Sequence, residues 1–172
     1  MKILKPTLFL ATLVAIFATM YALGKAYSKR HLTYVSSTGD SMLPTLPISN
    51  GVYEAISPDK LERGDIIVLK DDQNENAQKR IIGLPNEIID ITNGSVYVNG
   101  SLLHEPYLAP GTITPQGTAG GHIVVKPEEY LVMGDNRKTS YDGRFYGPRP
   151  RSAIMHKLNI YTQEGTTNEP AK

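Results

Sequence analysis

From Pro6 to Gly24 the chain reads PTLFLATLVAIFATMYALG, without one charged residue. Coiled as an α-helix, that run would be about 28 Å long, close to the roughly 30 Å hydrocarbon core of a bilayer. Such a run has to be shielded from water, in lipid or in a protein core. Its basic flanks argue for lipid: Lys2 and Lys5 precede it, and Lys25, Lys29 and Arg30 follow. The reading is an uncleaved anchor over 6–24 behind a short basic segment, 1–5. A cleavable leader is the competitor, since Ala22-Leu23-Gly24 has the small-residue character of a leader cleavage site. The apolar run is longer than a usual leader core, which favours the anchor. Basic residues on both flanks leave the orientation open.

The chain has 172 residues and a formal net charge of +1. That length allows one domain with a real core and little room for a second. The near-neutral balance gives no sign of a nucleic-acid surface. There is no cysteine, which removes disulfides and thiolate chemistry and leaves either side of a membrane open. The histidines, His31, His104, His122 and His156, are scattered without metal-ligand spacing, so neither a metal nor a cofactor is expected.

After a juxtamembrane stretch, 25–37, the pattern is that of short strands. Val52–Ile56, Asp65–Lys70, Lys79–Gly83, Glu87–Ile91 and Ser95–Val98 are apolar or alternating runs bounded by turn residues. His122–Val125, Tyr130–Met133 and Ser152–Tyr161 resume the pattern. Asn93-Gly94 and Asn99-Gly100 are hairpin signals. The polar stretch 71–78 reads as an exposed loop, and 105–121, rich in Pro, Gly and Thr, as a long loop or insertion tip. Residues 134–150 read as a Gly- and Pro-rich loop dense in Asp and Arg, and 162–172 as a disordered tail. The fold class is mostly β: an antiparallel β-sheet or partly closed barrel over 25–161, with one N-terminal transmembrane helix.

Two runs in the β region carry chemistry. Gly39-Asp40-Ser41-Met42-Leu43-Pro44-Thr45-Leu46 presents Ser41 on a tight turn, and Lys79-Arg80-Ile81-Ile82-Gly83-Leu84-Pro85 puts a lysine at the head of a strand. A serine hydroxyl is a poor nucleophile near neutral pH without an adjacent base. Lysine is that base only when neutral, and neutralising it at pH 7 from a pKa of about 10.4 costs roughly 4.6 kcal/mol. Burial against apolar neighbours such as Ile81 and Ile82 can supply most of the shift. Ser41 and Lys79 are therefore candidates for the nucleophile and general base of a hydrolytic dyad.

With these residues in view, the chain resembles the bacterial type I signal peptidases, membrane-anchored serine proteases with a Ser/Lys dyad. Four blocks carry the resemblance, in the family's order: GDSMLPTL at 39–46, RGDIIVLK at 63–70, KRIIGLP at 79–85 and GDNRKTSYDGRFYG at 134–147. The last is the most specific, because self-cleaving repressors look similar at the first and also use Ser and Lys. The resemblance implies Ser41 as nucleophile, its backbone N–H in the oxyanion hole, and Lys79 as general base. It implies that the Ser140 hydroxyl hydrogen-bonds and orients the lysine, and that Asp142 and Arg144 form an ion pair bracing that loop. By adjacency, Met42, Leu46 and Gln78 are the substrate-binding candidates. Gly39 departs from members with a serine two residues before the nucleophile, whose hydroxyl is a second oxyanion donor. A missing donor can cost about 2.7–4 kcal/mol in the transition state where nothing replaces it.

The implied activity is removal of signal peptides from exported preproteins. The implied setting is the outer face of the cytoplasmic membrane, with a single-pass monomer in contact with lipid and no nucleic-acid partner. Other readings compete. A Ser/His/Asp hydrolase would show a G-x-S-x-G elbow followed by a helix, where this chain has Gly39-Asp40-Ser41-Met42-Leu43. A repressor needs an upstream DNA-binding domain, for which the mostly apolar upstream residues are expected to leave no space. A specialised peptidase for one secreted or pilin-like substrate and a non-enzymatic membrane-anchored β domain stay open.

Overall fold

The computed structural model describes residues 12–21, 33–36, 39–48 and 52–160. The chain divides into two units, residues 1–32 and 33–172. In the first, residues 12–21 form helix α1, with every one of them exposed. Among the described residues no helix is long and apolar enough to cross a membrane. The expected anchor over 6–24 extends past them at both ends, and the expected basic segment 1–5 and disordered tail 162–172 lie outside them.

The second unit is built from strands. They are β1 (Thr33–Ser36), β2 (Val52–Ile56), β3 (Ile66–Lys70), β4 (Asn76–Gly83), β5 (Ile88–Thr92), β6 (Ser95–Val98), β7 (Ser101–Leu102), β8 (His122–Val124) and β9 (Glu129–Met133). One-turn helix α2 (Gly143–Tyr146), β10 (Arg149–Pro150) and β11 (Ile154–Asn159) complete it. They form a seven-stranded sheet ordered β1-β2-β11-β3-β4-β9-β10 and a four-stranded sheet ordered β7-β6-β5-β8. Every pairing is antiparallel.

β3 shows why the core forms where it does. Its apolar run is buried on both faces, as an interior strand requires, and successive side chains enter different clusters. Ile66 and Val68 pack with Met42, Leu46, Ala55 and Leu158. Ile67 and Leu69 pack with Ile81, Val132 and Ile154. A third cluster joins the sheets, with Ile82 of β4 and Leu131 and Met133 of β9 meeting Ile89, Ile91 and Val96 of the smaller sheet. Fully burying one such side chain contributes about 1.5–3 kcal/mol. The smaller sheet turns at Asn93-Gly94 and Asn99-Gly100, where φ is positive at all four residues, as type I′ hairpins demand.

Of the two forms expected, antiparallel sheet or partly closed barrel, the described residues show two antiparallel sheets with free edges and no closed barrel. The architecture corrects three other expectations. β4 begins at Asn76, inside the stretch read as loop, because Asn76–Gln78 pair with β3 despite their polarity. The 134–150 segment holds α2 and β10. The last strand starts at Ile154, after a 3-10 turn over Arg151–Ala153.

Candidate active site

Ser41 opens a turn that holds itself. The Leu43 N–H donates to Asp40 O at 3.0 Å and the Leu46 N–H to Met42 O at 2.9 Å. β4 brings Lys79 to this turn, and Lys79 Nζ and Ser41 Oγ are hydrogen-bonded at 3.1 Å. Lys79 is 5% exposed, with the fully buried Ile81 next on the same strand face. Burial lowers the lysine pKa from its ordinary value. The carboxylates of Asp142, Asp71 and Asp40 oppose that shift and the Arg144 guanidinium adds to it. The lowering makes the neutral amine, the form a base needs, more accessible. Ser41 N–H donates to no backbone carbonyl among the described residues, which leaves it available to an oxyanion.

The register of β9 creates the opening beside the dyad. β9 pairs with β4 only from Arg80↔Met133 onward. Asn76–Lys79 therefore has β3 on one edge and no strand on the other among the described residues. Past Met133 the chain turns against Ser41 instead: Asn136 N–H donates to Ser41 O at 3.0 Å, and Asn136 Nδ2 to Asp40 O at 3.2 Å. Gly134 permits this approach. A Cβ there would come within 2.4 Å of Ser41 O and 2.2 Å of Ser140 Oγ.

Asp142 and Arg144 have no exposed side-chain surface, and Arg144 Nε meets Asp142 Oδ1 at 2.9 Å. Asp142 also caps α2 by accepting from the Arg144 N–H, and takes the Gly134 N–H at 2.9 Å. Arg144 donates further to Arg137 O and Ser140 O. The pair thus pins both ends of the Gly134–Arg144 segment and is not a solvated surface pair. Ser140 departs from expectation. Its N–H donates to Asn136 O and its carbonyl accepts from Arg144, so its backbone is fixed, but its buried hydroxyl has no partner among the described residues. The lysine bonds Ser41 and not Ser140.

The three substrate-binding candidates separate. Met42 and Leu46 are 1% and 0% exposed and lie in the core cluster under the turn, because the turn's hydrogen bonds aim them inward. As placed they offer no open surface to a ligand. Gln78, half-buried on the open stretch of β4, reaches across to β1 and donates to Ser36 O at 3.1 Å. Gly39 is exposed, and nothing lies within 4 Å of where its Cβ would be.

A second buried network was not singled out from the sequence. Arg80, on the strand face opposite Lys79, forms a two-pronged pair with Asp135 at 2.8 and 2.5 Å. Thr45 of the serine turn donates to the same carboxylate at 2.5 Å, and the Tyr107 ring lies 3.9 Å from the guanidinium carbon. Turn, Lys79-bearing strand and the 134–147 block are therefore clamped at one carboxylate. An arginine next to Lys79 in an apolar strand was the available signal, since a buried guanidinium needs a buried carboxylate.

A sequence model of the family described as "Signal peptidase, peptidase S26" matches residues 4–162. The chain belongs to that family. Signal peptidase I of Leptolyngbya laminosa is 36% identical over 155 residues, covering 83% of this chain and 73% of that protein. A probable signal peptidase I-2 of Synechocystis is 34% identical over 156 residues, covering 83% and 67%. The crystal structure of a signal peptidase I from Enterococcus faecalis matches with a TM-score of 0.52 and 29% identity, over 60% of this chain and all of that one. Membership makes the chain a signal peptidase I-type serine protease, and the mostly β, antiparallel architecture is consistent with the fold of that neighbour.

Proposed function

We propose that this chain is a membrane-anchored endopeptidase that cleaves N-terminal signal peptides from exported preproteins, with Ser41 as nucleophile and Lys79 as general base. The observation that carries the assignment of roles is the 3.1 Å bond between Ser41 Oγ and a buried lysine whose pKa burial depresses. No histidine bonds Ser41 Oγ among the described residues, which speaks against a Ser/His/Asp triad.

In this mechanism neutral Lys79 takes the Ser41 hydroxyl proton as Oγ attacks the scissile carbonyl. The Ser41 N–H stabilises the resulting oxyanion. Lys79, now charged, protonates the departing amine, leaving an acyl ester on Ser41. Lys79 then takes a proton from water as that water attacks the ester. It returns the proton to Ser41 Oγ as the ester bond breaks, which restores the serine hydroxyl and the neutral amine. The acyl half of the substrate adds as an extended strand along Asn76–Lys79, where β4 lacks a neighbour. Small residues are selected nearest the cut. An anchor over 6–24 keeps the site at the outer face of the cytoplasmic membrane, in contact with lipid, and one copy of the chain suffices.

A labelled preprotein presented to membranes carrying wild type, Ser41→Ala or Lys79→Ala tests the assignment. Only wild type should release the mature product. Equal processing by all three chains would sink it.

A further inference from the structure

A cleft of about 630 Å³ opens beside the serine turn, just past Ser41 in chain order. Leu43 and Pro44, residues 109–113 with Pro115, and residues 135–138 line it. Leu43 is two residues from Ser41, so the cleft starts within about 7 Å of the nucleophile's Cα. Asn136, in the same lining, holds the carbonyls of Asp40 and Ser41.

The wall formed by 109–115 is held from several directions. The Thr114 N–H donates to Gly94 O at 2.9 Å, and Gln116 Nε2 to Ile91 O at 2.7 Å. Buried Arg137 donates to Thr114 Oγ1 at 2.7 Å and pairs with Glu105 at 2.5 Å. The segment read from composition as a long loop or insertion tip is thus a loop held as a fixed wall, and it presents Ile113, 73% exposed, to solvent. The charges are also sorted. Asp135 and Arg137 are paired inward, with Arg80 and Glu105. Lys138 is exposed and makes no ion pair among the described residues.

We infer that this cleft binds the first few residues downstream of the scissile bond, in extended form. This rests on the peptidase reading above, in which the acyl half occupies the free edge of β4 and the leaving half departs past Ser41. An apolar side chain packs against Leu43 and Ile113, and beside Lys138 an acidic residue is preferred to a basic one.

Two substrates with the same sequence up to the cut test it. One continues for several residues beyond, and the other ends in a small chromogenic amide. The quantity read is the ratio of kcat/KM for long over short substrate, in full-length wild type, Ile113→Ser and Lys138→Glu. Ile113→Ser should lower the ratio about tenfold, the scale of one lost apolar contact in a pocket. Lys138→Glu should reverse the preference between aspartate and lysine in the extension. Ratios and preferences equal to wild type in both variants overturn the cleft, even if both act more slowly on both substrates. Hydrolysis of the short substrate by wild type and not by Ser41→Ala supports the peptidase reading separately. If wild type cleaves neither substrate, that reading falls and the cleft falls with it.

Discussion

As the proposed base, Lys79 has to satisfy opposed demands, since the burial that lowers its pKa also makes it a strain on the fold. Lys79→Arg keeps a cation that cannot deprotonate, and should lower kcat/KM by roughly 10²–10⁴-fold, the usual weight of a general base. For wild type, kcat/KM should rise with pH through a value below the ordinary lysine pKa of 10.5. Stability should follow the same proton. Below the folded-state pKa the amine is charged in both states and the penalty is full. Above it the unfolded chain binds the extra proton, so stability rises with pH until about 10.5. Lys79→Met should lack that slope and be more stable at neutral pH, by an amount that shrinks as the solution becomes alkaline. Denaturant titrations of both chains at several pH values read this directly. Gly39→Ser has open space for its side chain. It should fold as wild type and raise kcat at similar KM, within the 2.7–4 kcal/mol that one oxyanion donor is worth; an unchanged kcat would mean that another donor already fills the place.

At the scale of elements, the 134–147 segment is tied to the rest by Arg80–Asp135 and Arg137–Glu105 and braced within itself by Asp142–Arg144. Asp142→Ala leaves Arg144 buried without its carboxylate, removes the cap of α2 and frees the Gly134 N–H. Breaking a buried pair from one side costs about 3–5 kcal/mol, which thermal unfolding should register as a large drop in Tm. Gly134→Ala should abolish activity, because its methyl group meets the backbone Ser41 O at 2.4 Å and Ser140 Cβ at 2.5 Å, distances no rotamer relieves. Several of these elements were legible before the fold was known. Asn-Gly pairs between β-branched runs admit little but tight hairpins, and a serine turn followed by a lysine before Ile-Ile is a chemical pattern that reads locally. What could not be read depends on distant pairing. Arg80 meets Asp135 across 55 positions, and neither sequence neighbourhood names the other. Met42 and Leu46 follow Ser41 closely in sequence but point into the core, because the fold of the turn decides their direction. The 105–121 stretch looks like a surface tip from its glycines and prolines; Thr114 and Glu105 tie it down to an arginine more than twenty residues away.

At the scale of the whole molecule, the division at residue 32 separates the uncharged run from the unit that carries the dyad. A chain beginning at Thr33 should still hydrolyse soluble peptides, while processing membrane-held preproteins far less well than full-length protein. Fractionation with alkaline washing should leave the full chain in the membrane, and externally added protease should reach its β unit. Recovery of the full chain in the soluble fraction would contradict the anchor.

The short vacancy along Asn76–Lys79 also fixes how an inhibitor could be made selective. In a strand, successive amides point to opposite edges, so only every second N–H of a docked peptide can face β4. Methylating a peptide nitrogen that faces the protein should abolish binding. Methylating the next one should leave affinity nearly intact while protecting the peptide from hydrolysis elsewhere. A scan of such N-methylated peptides would reveal the docking register from affinities alone, and the tolerated positions would be those at which a durable inhibitor can be built.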